Sequence, residues 1–392
     1  MDTDRSYDAV LFGATGFTGG LTAEYLARNA PPGTRWALAG RSTAKLEARR
    51  AELAASNPSC RELPLLHADA GDAASLQALA RSAKVLITTV GPYVHYGEPL
   101  VAACAEAGTD YVDLTGEPEF VDLMYARHHT RAVETGARIV HCCGFDSIPH
   151  DLGAYFVVKH LPHDVPIKLE GFVRAGGKPS GGTAHSAITA FSRVRQTARA
   201  SSARRRLEDH TGERRVRLIK SAPRHDAALG AWVLPMPTID PQIVRRSAQA
   251  LVRYGPDFSY GHYIAVKRLP VAAALVGGVA GLMILSQLPP TRSLLLGRLK
   301  PCDGPSAEER AKGWFNVRFV GEGGGRRVVA EVSGGDPGYG ETAKMLAEAA
   351  LCLAHDELPQ TSGQVTTATA MGDALIGRLQ RSGIRFEITG TT

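Results

Sequence analysis

The chain has 392 residues, with 45 lysines and arginines against 39 aspartates and glutamates and a formal net charge of +6. Hydrophobic residues make up 44 % and charged residues 21 %, which is close to an average soluble globular protein and excludes a disordered chain, a collagen-like fibre and a coiled coil. At roughly 100–200 residues per domain, this length predicts two domains or one large two-lobed unit.

The first 160 residues alternate between strand and helix patterns. The predicted strands are Tyr7–Phe12, Arg35–Ala39, Leu63–Leu66, Val85–Thr89, Tyr111–Val112 and Arg138–Cys142. The predicted helices are Phe17–Asn29, 43–56, 73–82, 97–107 and 118–135. Because strands that alternate with helices at this spacing form βαβ units, we expect an α/β domain over 1–160 with a doubly wound parallel sheet of Rossmann type.

After residue 160 the pattern changes to alternating strands with fewer helices between them. Two of these strands flank a Gly-rich turn, which is typical of an antiparallel hairpin. The strand segments are Ile167–Arg174, Trp314–Val320 and Arg326–Val332, and the helix segments begin near Gly181 and cover 341–355 and 371–380. We therefore expect an α+β substrate lobe with an antiparallel sheet over 161–360, and a C-terminal helix and strand over 361–392 that pack back on the core.

A glycine-rich motif, Gly13-Ala14-Thr15-Gly16-Phe17-Thr18-Gly19, stands between the first predicted strand and the first predicted helix. In that position the first glycine permits a tight turn, the second lets the backbone approach a pyrophosphate, and the third lets the helix pack on the strand. We therefore predict a dinucleotide site on the helix N-terminus; the alternative is a glycine-rich turn without a ligand. The predicted contacts are Gly13, Thr15, Gly16, Phe17, Thr18 and Gly19.

The end of the second predicted strand decides between the two nicotinamide dinucleotides. An NAD site normally has Asp or Glu there to bind the ribose 2′-hydroxyl. This chain has Arg41 and Ser42 instead, and a guanidinium pairs well with a 2′-phosphate. The residues therefore predict NADPH as the cofactor, unless Arg41 is an ordinary surface arginine.

Two further loops follow predicted strands and are candidates for the rest of the cofactor. Asp69 follows the third strand, where it could bind the adenine amine or cap the next helix. Thr89, Gly91 and Pro92 follow the fourth strand, near the expected position of the nicotinamide. Together with the glycine motif, these loops predict a cofactor crevice at one edge of the sheet.

Several blocks of the sequence together resemble a known family. They are Gly13–Gly19, Thr89–Tyr93 with Tyr96-Gly97, Tyr111–Glu117, Cys143–Pro149, Val244–Ser247, Asp336–Tyr339 and Ala370–Leu375. In this order the blocks resemble the saccharopine dehydrogenase-like oxidoreductases, and most of all their trans-acting enoyl reductase subfamily. The resemblance spans nearly the whole chain.

The resemblance implies an NADPH-dependent reductase of a carbon–carbon double bond in a long-chain polyketide-type lipid intermediate. Such an enzyme acts in trans to a synthase that lacks its own reducing domain. Two alternatives stay open. One is a saccharopine-type enzyme that reduces an imine joining two amino acids, although residues 160–392 show no pattern assignable to gripping an amino-acid carboxylate. The other is a non-catalytic NADP-binding protein that associates with lipid.

Enoyl reduction needs hydride at one carbon, a proton at its neighbour, and stabilisation of charge on the carbonyl oxygen. Because ligands bind at the carboxyl ends of the strands, the candidates are Tyr93 and His95 in one loop and Cys143, Asp146 and His150 in another. We predict that Tyr93, His95 and Asp146 are catalytic, as proton donors or relays. The alternatives are a Tyr93 ring stacked on the nicotinamide, a solvated His95 and an Asp146 that caps the following helix.

Two more titratable residues have structural interpretations. A hydrogen bond to a loop is the favoured role of Glu117, and His141, within a strand, is interpreted as a core histidine. No His/Cys/Asp spacing suggests a metal, and the six cysteines include no C-x-x-C pair and predict no disulfide scaffold. Because the polar N-terminus lacks the features of a secretory signal, we expect a cytoplasmic protein.

Two segments of the second half have unusual composition. Residues 193–220 hold ten lysines and arginines. This charge predicts either a solvated face or a site for an anionic partner such as an acyl carrier domain or acidic lipid. Nucleic acid is not an expected partner, because no recognition motif accompanies the charge.

Val271–Leu288 contains no charged residue and as a helix would be ~27 Å long. It predicts a spanning helix, a helix that dips into a membrane or lines a substrate tunnel, or an ordinary buried helix or homodimer face.

Overall fold

The computed structural model describes residues 5–177, 181–208, 214–298 and 304–392. The strands in these ranges are β1 (Tyr7–Phe12), β2 (Trp36–Gly40), β3 (Leu65–His67), β4 (Ala83–Thr88), β5 (Asp110–Asp113), β6 (Arg138–Val140), β7 (Ile167–Gly176), β8 (Arg215–Leu218), β9 (Arg224–Asp226), β10 (Ala231–Pro235), β11 (Asp257–Val266), β12 (Trp314–Gly323), β13 (Arg326–Gly334), β14 (Gly363–Val365) and β15 (Arg385–Thr391). The helices are α1 (Phe17–Asn29), α2 (Thr43–Ser56), α3 (Ala73–Ser82), α4 (Tyr93–Tyr96), α5 (Glu98–Ala107), α6 (Pro118–Thr135), α7 (Ile148–Val158), α8 (Gly181–Ser192), α9 (Val194–Leu207), α10 (Asp240–Ala250), α11 (Leu269–Gln287), α12 (Pro289–Arg298), α13 (Ala307–Ala311), α14 (Gly340–His355), α15 (Thr367–Ala370) and α16 (Gly372–Arg381).

The first sheet is parallel throughout the part of the chain that the structure describes. Its strand order is β14-β6-β5-β4-β1-β2-β3. From β1 the chain moves outward through β2 and β3, then returns to build β4, β5 and β6 on the other side, which is the doubly wound order. The predicted parallel sheet is confirmed: each strand predicted in residues 1–160 forms, because continuous apolar runs suit strands that are buried on both faces.

The second sheet is mixed rather than antiparallel, which corrects the prediction for the substrate lobe. It runs β15-β13-β12-β7-β11-β10-β9, with β8 on β11. The hairpin of β12 and β13 is antiparallel as predicted, with Phe319 opposite Ala330. However, β7 and β11 are parallel, with Ile167 opposite Phe258. A parallel pair needs a long crossover, and the chain between these strands, which includes α8, α9 and α10, supplies it.

The chain returns from the second sheet to the first near its C-terminus. The helix α14 packs against α1 and against β4 and β5, and β14 extends the parallel sheet beside β6, with Gln364 opposite Ile139. The last strand, β15, then pairs with β13 in the second sheet. Elements from the later ranges therefore complete the first sheet, and the division into 1–160, 161–360 and 361–392 stays a prediction.

A buried carboxylate ties these returning segments together. Asp151, in α7, accepts hydrogen bonds from the Ser247 hydroxyl (2.5 Å), the Thr367 hydroxyl (2.7 Å) and the Ala368 N–H (2.9 Å). The side chain is fully buried, and burial raises its pKa to about 6 in spite of these donors. Three elements that are far apart in the sequence, α7, α10 and α15, are thus held at one point.

The two sheets share one hydrophobic core. Val140 of the parallel sheet, Phe319 of the mixed sheet and Leu346 of α14 belong to the same buried cluster. The helix α7 packs closely on the mixed sheet at Gly153, where a Cβ atom would overlap the Phe319 ring. This packing holds the mixed sheet in a fixed position beside the parallel sheet and its crevice.

The basic segment 193–220 is partly internal to the fold. Arg193 forms a bidentate ion pair with Glu119, with both N–O distances at 2.7 Å, and Arg204 is buried beside Glu208. The exposed basic residues are Arg195, Arg199, Arg205, Arg206, Arg215, Arg217 and Lys220. Part of the predicted charged face therefore holds helices together, and only the remainder is accessible to solvent or a partner.

The apolar segment forms α11, and its interpretation as an ordinary buried helix is wrong. By length and composition α11 could cross a membrane. Within Leu269–Gln287, only Ala272 and Ser286 are buried. The remaining side chains of this helix lie at the surface of the described structure.

Candidate active site

The glycine motif lies where the order of the parallel strands reverses, between β1 and β4. Gly13 has φ +92°, a backbone conformation that favours glycine. A Cβ atom there would come within 2.8 Å of the Thr89 hydroxyl oxygen, and one at Gly19 would overlap the Gly13 carbonyl oxygen. The close turn that a dinucleotide requires therefore depends on glycine at both positions.

The motif leads directly into the N-terminus of α1. No side chain caps this end, and the first turn holds no acidic residue, so its N–H groups and its dipole favour an anion. Thr15 and Gly16 are exposed beside it, and the Thr89 hydroxyl donates to the Gly13 carbonyl oxygen (3.2 Å). The loop fits the pyrophosphate of a dinucleotide, because its tight turn, which the missing Cβ atoms permit, leads directly into the uncapped helix N-terminus.

Phe17, at the start of α1, contacts the second lobe. Its ring meets the Tyr339 ring edge-on with centroids 4.9 Å apart, and the Arg310 guanidinium lies 5.6 Å from its centroid. A Cβ atom at Gly304 would overlap the same ring. Phe17 therefore joins the cofactor loop to the segment that follows α12, while the neighbouring Thr18 is partly buried in the first turn of the helix.

Arg41 lies exposed immediately after β2, beside the central strand β1. At this strand end the 2′-phosphate of NADP is expected, and the chain has no acidic residue there that would repel it. The neighbouring Ser42 caps α2, since its hydroxyl accepts the Lys45 N–H (3.4 Å). Ser42 thus has a structural role in addition to its predicted contact with the cofactor.

Asp69 forms a turn instead of capping a helix. Its carboxylate accepts the Gly71 N–H (2.9 Å). The cap of α3 is Asp72, which accepts the Ala74 N–H (3.0 Å). The helix-cap alternative for Asp69 is therefore wrong, and its contact with adenine stays a prediction for a partly buried residue after β3.

The loop after β4 is held in place by Glu117. The buried Glu117 carboxylate accepts the N–H groups of Tyr93 (3.1 Å) and Val94 (2.8 Å) at the start of α4. The preceding residues, Gly91 and Pro92, are joined by a cis peptide bond. The structural interpretation of Glu117 is confirmed, and it fixes the loop at the expected nicotinamide end of the crevice.

The two catalytic candidates of this loop differ in exposure. The Tyr93 hydroxyl is buried, donates to the Thr88 carbonyl oxygen (3.1 Å) and accepts the Leu114 N–H (3.2 Å). Burial, and next the Asp113 carboxylate, raise its pKa well above the ordinary value. A proton engaged in this way is poorly placed for transfer to a substrate. His95 is exposed on α4, and the catalytic roles of both residues stay predictions.

Asp146 lies in the crevice, in the loop between β6 and α7. It is partly buried, and a Cβ atom at Gly116, after β5, would lie 3.4 Å from its carboxylate oxygen. Burial, and next the Asp240 carboxylate, raise its pKa to about 7. The helix-cap alternative for Asp146 is wrong, because the cap of α7 is Ser147 and no side chain hydrogen bond closes that end. Such a carboxyl group retains a proton near neutral pH and can donate it.

Asp240 belongs to a buried cluster with His150 and His262. Their nitrogen and oxygen atoms lie within 4.8 Å of one another, with Asp240 Oδ2 3.4 Å from His262 Nε2 and Oδ1 3.8 Å from His150 Nε2. Burial lowers the pKa of His150 to about 4. Burial opposes ionisation of Asp240, but the two imidazoles hold its pKa below the ordinary value.

Sequence reasoning missed Asp240 and His262, because the cluster joins α7, α10 and β11 and no short spacing signals it. Two imidazoles and a carboxylate are a donor set that metal ions accept. The expectation of no metal came from spacing alone, and it stays a prediction.

Two residues at the end of β6, His141 and Cys143, belong to the buried core. Cys143 is fully buried and its thiol donates to the Val140 carbonyl oxygen (3.4 Å), while burial raises its pKa well above the ordinary value. His141 Nδ1 lies 2.7 Å from Asp113, whose carboxylate also accepts the Tyr111 hydroxyl (2.9 Å). The core interpretation of His141 is confirmed, and Cys143 is a neutral, enclosed thiol.

The motif blocks that were separate in the sequence come together around this crevice. The Phe145 N–H donates to the Thr342 hydroxyl oxygen (3.1 Å), and the Thr342 hydroxyl donates to the Pro337 carbonyl oxygen (2.7 Å). The Asp336 carboxylate accepts the N–H groups of Gly338, Tyr339 and Gly340 in the turn that leads into α14. The loop that carries Asp146 is thus braced by a loop of the second lobe.

Comparison with known proteins agrees with this arrangement. Residues 9–140 match the family described as the saccharopine dehydrogenase NADP-binding domain. The chain is 36 % identical to a trans-acting enoyl reductase of Mycobacterium ulcerans (98 % of each chain) and to one of Mycobacterium tuberculosis (99 % of this chain, 98 % of the relative). It is 40 % identical to a second M. tuberculosis protein, whose name provisionally places it in the same group (99 % and 98 %).

A solved structure adds the fold. Apo saccharopine dehydrogenase (L-Glu forming) from Saccharomyces cerevisiae superposes with a TM-score of 0.57 over 97 % of this chain and 99 % of its own, at 12 % identity. With an NADP-binding domain and full-length relatives of this kind, the protein is an NADP-dependent oxidoreductase. The chain belongs to the saccharopine dehydrogenase-like oxidoreductases, within the trans-acting enoyl reductase family.

Proposed function

We propose that the protein uses NADPH to reduce the carbon–carbon double bond of an α,β-unsaturated, long-chain polyketide-type acyl intermediate. It acts in trans to a synthase that lacks a reducing domain of its own. The observation that carries the proposal is identity of 36–40 % over nearly the whole chain to relatives named trans-acting enoyl reductase. The contacts of the crevice add the physical argument for each part of the reaction.

The cofactor is held by the glycine motif and by Arg41. Gly13 and Gly19 permit the tight turn that brings the pyrophosphate to the uncapped N-terminus of α1, and the exposed Arg41 pairs with the 2′-phosphate. NADPH, when bound, supplies the hydride. The preference for NADPH over NADH follows from a cationic rather than an acidic side chain after β2.

Asp146 is the proposed proton donor to the carbon next to the carbonyl group. Burial and the neighbouring Asp240 raise its pKa to about 7, so a large share of the carboxyl groups holds a proton near neutral pH. General acid catalysis by a positioned group contributes about 10²–10⁴-fold to a rate. The bracing of this loop, through Phe145 and Thr342, holds the carboxyl group in the crevice.

The proposed substrate is presented on a carrier or as a lipid. Arg195 and Arg199 on α9 are exposed and have the charge that an acidic carrier domain or a phosphopantetheine arm would require. We place the protein in the cytoplasm, where such carriers are loaded by a synthase.

The test supplies the purified protein with NADPH deuterated stereospecifically at C4 and with 2-enoyl thioesters of increasing chain length. We expect one deuterium at the β-carbon of the product, and a kcat/KM at least 10-fold lower with NADH. Asp146→Asn should lower kcat about 100-fold while the Kd for NADPH is unchanged. Asp164→Asn, at an exposed position, is the matched control and should keep the wild-type rate.

Two outcomes would overturn the proposal. Transfer of deuterium to the product of a 2-oxo acid and an amino acid, with none to any enoyl thioester, would assign imine reduction. Tight NADPH binding without turnover of either substrate class, also when the acyl group is presented on a carrier protein, would assign a non-catalytic binding protein.

A further inference from the structure

The helix α11 carries no charge and is largely exposed, although it contacts α8 and, near its C-terminal end, donates a hydrogen bond from Gln287 to the Phe191 carbonyl oxygen. Of its 19 residues, only Ala272 and Ser286 are buried, and the eight consecutive positions 273–280 are all exposed. Successive residues of an α-helix point about 100° apart, so eight exposed positions in a row cover every direction around the axis. A helix packed along a protein surface would instead bury every third or fourth residue.

Large apolar side chains form this surface. Their exposed fractions lie between 36 % and 66 %, for Leu269, Val271, Leu275, Val276, Val279, Met283, Ile284 and Leu285. A Cβ atom added at Gly277, Gly278 or Gly281 would meet no described atom within 4 Å. Contiguous apolar patches of this kind are rare on soluble monomers and mark an interaction site.

The occupant must cover several sides of the helix at once, because the exposed positions 273–280 point in every direction around its axis. A second copy of the chain would cover one face of α11 and leave the opposite face in water, whereas a lipid bilayer surrounds a helix completely. The charges favour lipid as well. Lys267 and Arg268 precede the helix and are exposed, Arg292 follows it, and no acidic residue occurs from 267 to 298. Basic residues beside an apolar surface are attracted to anionic headgroups.

The topology of the second sheet restricts how the helix can enter a bilayer. β11, which precedes α11, and β12, which follows α12, are both neighbours of β7 in one sheet. A single crossing would place these two strands on opposite sides of the membrane. The following helix, α12, has 10 residues and a length of ~15 Å, too short to return through ~30 Å of hydrocarbon. Insertion from one side is the arrangement that keeps the sheet intact.

We propose that α11, together with α12, is a monotopic membrane anchor that inserts from one side into the acyl-chain region of an anionic phospholipid bilayer. The segment that follows α12 returns to the cofactor loop, where Gly304 lies against the Phe17 ring. The anchor therefore places the crevice close to the membrane surface. The idea that an acyl substrate is delivered from that surface rests on the proposed function. The membrane anchor itself does not depend on the proposed function.

The test is flotation of the full-length protein with vesicles. We expect the protein to bind phosphatidylcholine–phosphatidylglycerol (3:1) vesicles and to bind vesicles of phosphatidylcholine alone at least 10-fold more weakly. The reason is that each basic residue near an anionic surface increases the affinity about five-fold. The double variant Val276→Asp/Ile284→Asp should lose at least 10-fold in affinity. Val252→Asp is the matched control, because Val252 is 76 % exposed and lies outside α11; it should bind within two-fold of wild type.

A second measurement reports the depth of the helix. Ile284→Trp adds a tryptophan to the three in the chain, and lipids brominated in the acyl chain should quench its fluorescence beyond the wild-type level. Quenching equal to wild type would contradict insertion, even if vesicles still bound the protein through charge alone.

Three results would overturn the anchor. The first is that the wild type does not float with vesicles of either composition. The second is that the wild type and the double variant float equally. The third is that the wild type does not float but forms a dimer in the absence of lipid, and that the double variant is a monomer. The last result would mean that α11 binds a second copy of the chain.

The rate of reduction of a short, soluble enoyl thioester is measured in parallel. This rate should change less than two-fold in the double variant. If the wild type does not reduce the thioester, the proposed function is contradicted, but the result on membrane docking still stands.

Discussion

Glycine has opposite surroundings in the cofactor crevice and in α11. A Cβ atom at Gly13 or Gly19 would collide with the loop after β4 or with the motif itself, whereas one at Gly277 or Gly278 would meet no described atom within 4 Å. Close packing within the fold thus shapes the crevice, whereas the glycines of α11 have no such packing around them. Glycine is therefore required in one region and replaceable in the other.

The largest effect on stability is expected in the packed interior, where three hydrogen-bond donors share the Asp151 carboxylate as their acceptor. Asp151→Ala would leave the Thr367 hydroxyl and the Ala368 N–H without their acceptor and the Ser247 hydroxyl with only its contact to the Thr366 hydroxyl, which should cost about 3–5 kcal/mol in the free energy of unfolding. Ile284→Ala, on the exposed helix, should change it by less than ~0.5 kcal/mol in the absence of lipid. Urea unfolding measures both values.

Asp151→Asn is the control for shape, since it retains one acceptor oxygen and should lose less than the alanine variant. A loss below ~1 kcal/mol for Asp151→Ala would mean that water replaces the carboxylate, and that the interior is less closed than its burial indicates.

The glycine comparison itself is tested by the pair Gly19→Ala and Gly277→Ala. The first should weaken NADPH binding about 100-fold or more, because the methyl group overlaps the Gly13 carbonyl oxygen at the pyrophosphate turn. The second should leave the Kd within two-fold and stabilise the helix by about 0.5–1 kcal/mol, as alanine does in helix interiors. Fluorescence titration of NADPH and thermal unfolding give the two readouts; similar Kd values for both variants would refute the contrast.

A smaller effect is expected for the rim of the crevice, where Arg41 is exposed. Arg41→Ala should raise the Kd for NADPH about 10–50-fold and change the Kd for NADH less than three-fold, because the lost contact is charge-assisted and specific to the 2′-phosphate. Arg61→Ala, at another exposed position, controls for the loss of a positive charge. An equal loss for both coenzymes would place the 2′-phosphate elsewhere.

The smallest expected effect is the dependence of stability on pH at Asp146. Burial, and next Asp240, raise its pKa to about 7 from an ordinary value of 3.8, so between these values the folded chain holds a proton that the unfolded chain has lost. The stability contributed by this residue is therefore present below about pH 4 and lost as the pH rises through 7.

Asp146→Asn removes that dependence, and the variant should gain about 1–2 kcal/mol over wild type between pH 5 and pH 8. Thermal unfolding at the two pH values measures the gain. The pKa of Asp151 is also raised, to about 6, but Asp151 is present in both proteins and its contribution cancels. A constant difference between the two proteins across this range would show that Asp146 ionises normally.

Most of the parallel sheet could be predicted from the sequence, and the mixed sheet only in part. Strands such as Tyr7–Phe12 and helices such as Phe17–Asn29 agree with their predicted bounds, because periodicity and turn residues act over a few positions. The parallel pairing of β7 with β11 and the addition of β14 beside β6 could not be foreseen. Both depend on segments that meet only after long crossovers.

The candidate site divides in the same way. The positions of the glycine motif and of Arg41 followed from one βα turn and one strand end. The hydrogen bonds of the Tyr93 hydroxyl and the turn made by Asp69 were not predicted, since each depends on which N–H or carbonyl groups lie nearby in three dimensions. No short spacing in the sequence signals Asp240 and His262, which join the predicted candidate His150 in one cluster.

Local patterns were enough to predict the alternation of strands and helices, the dinucleotide turn and the uncharged character of Val271–Leu288, because backbone sterics and side-chain periodicity are local. The exposure of α11 and the position of Asp146 beside Asp240 could be seen only in the folded chain. Burial and electrostatic energies depend on neighbours brought in from distant parts of the chain, and a linear pattern does not specify those neighbours.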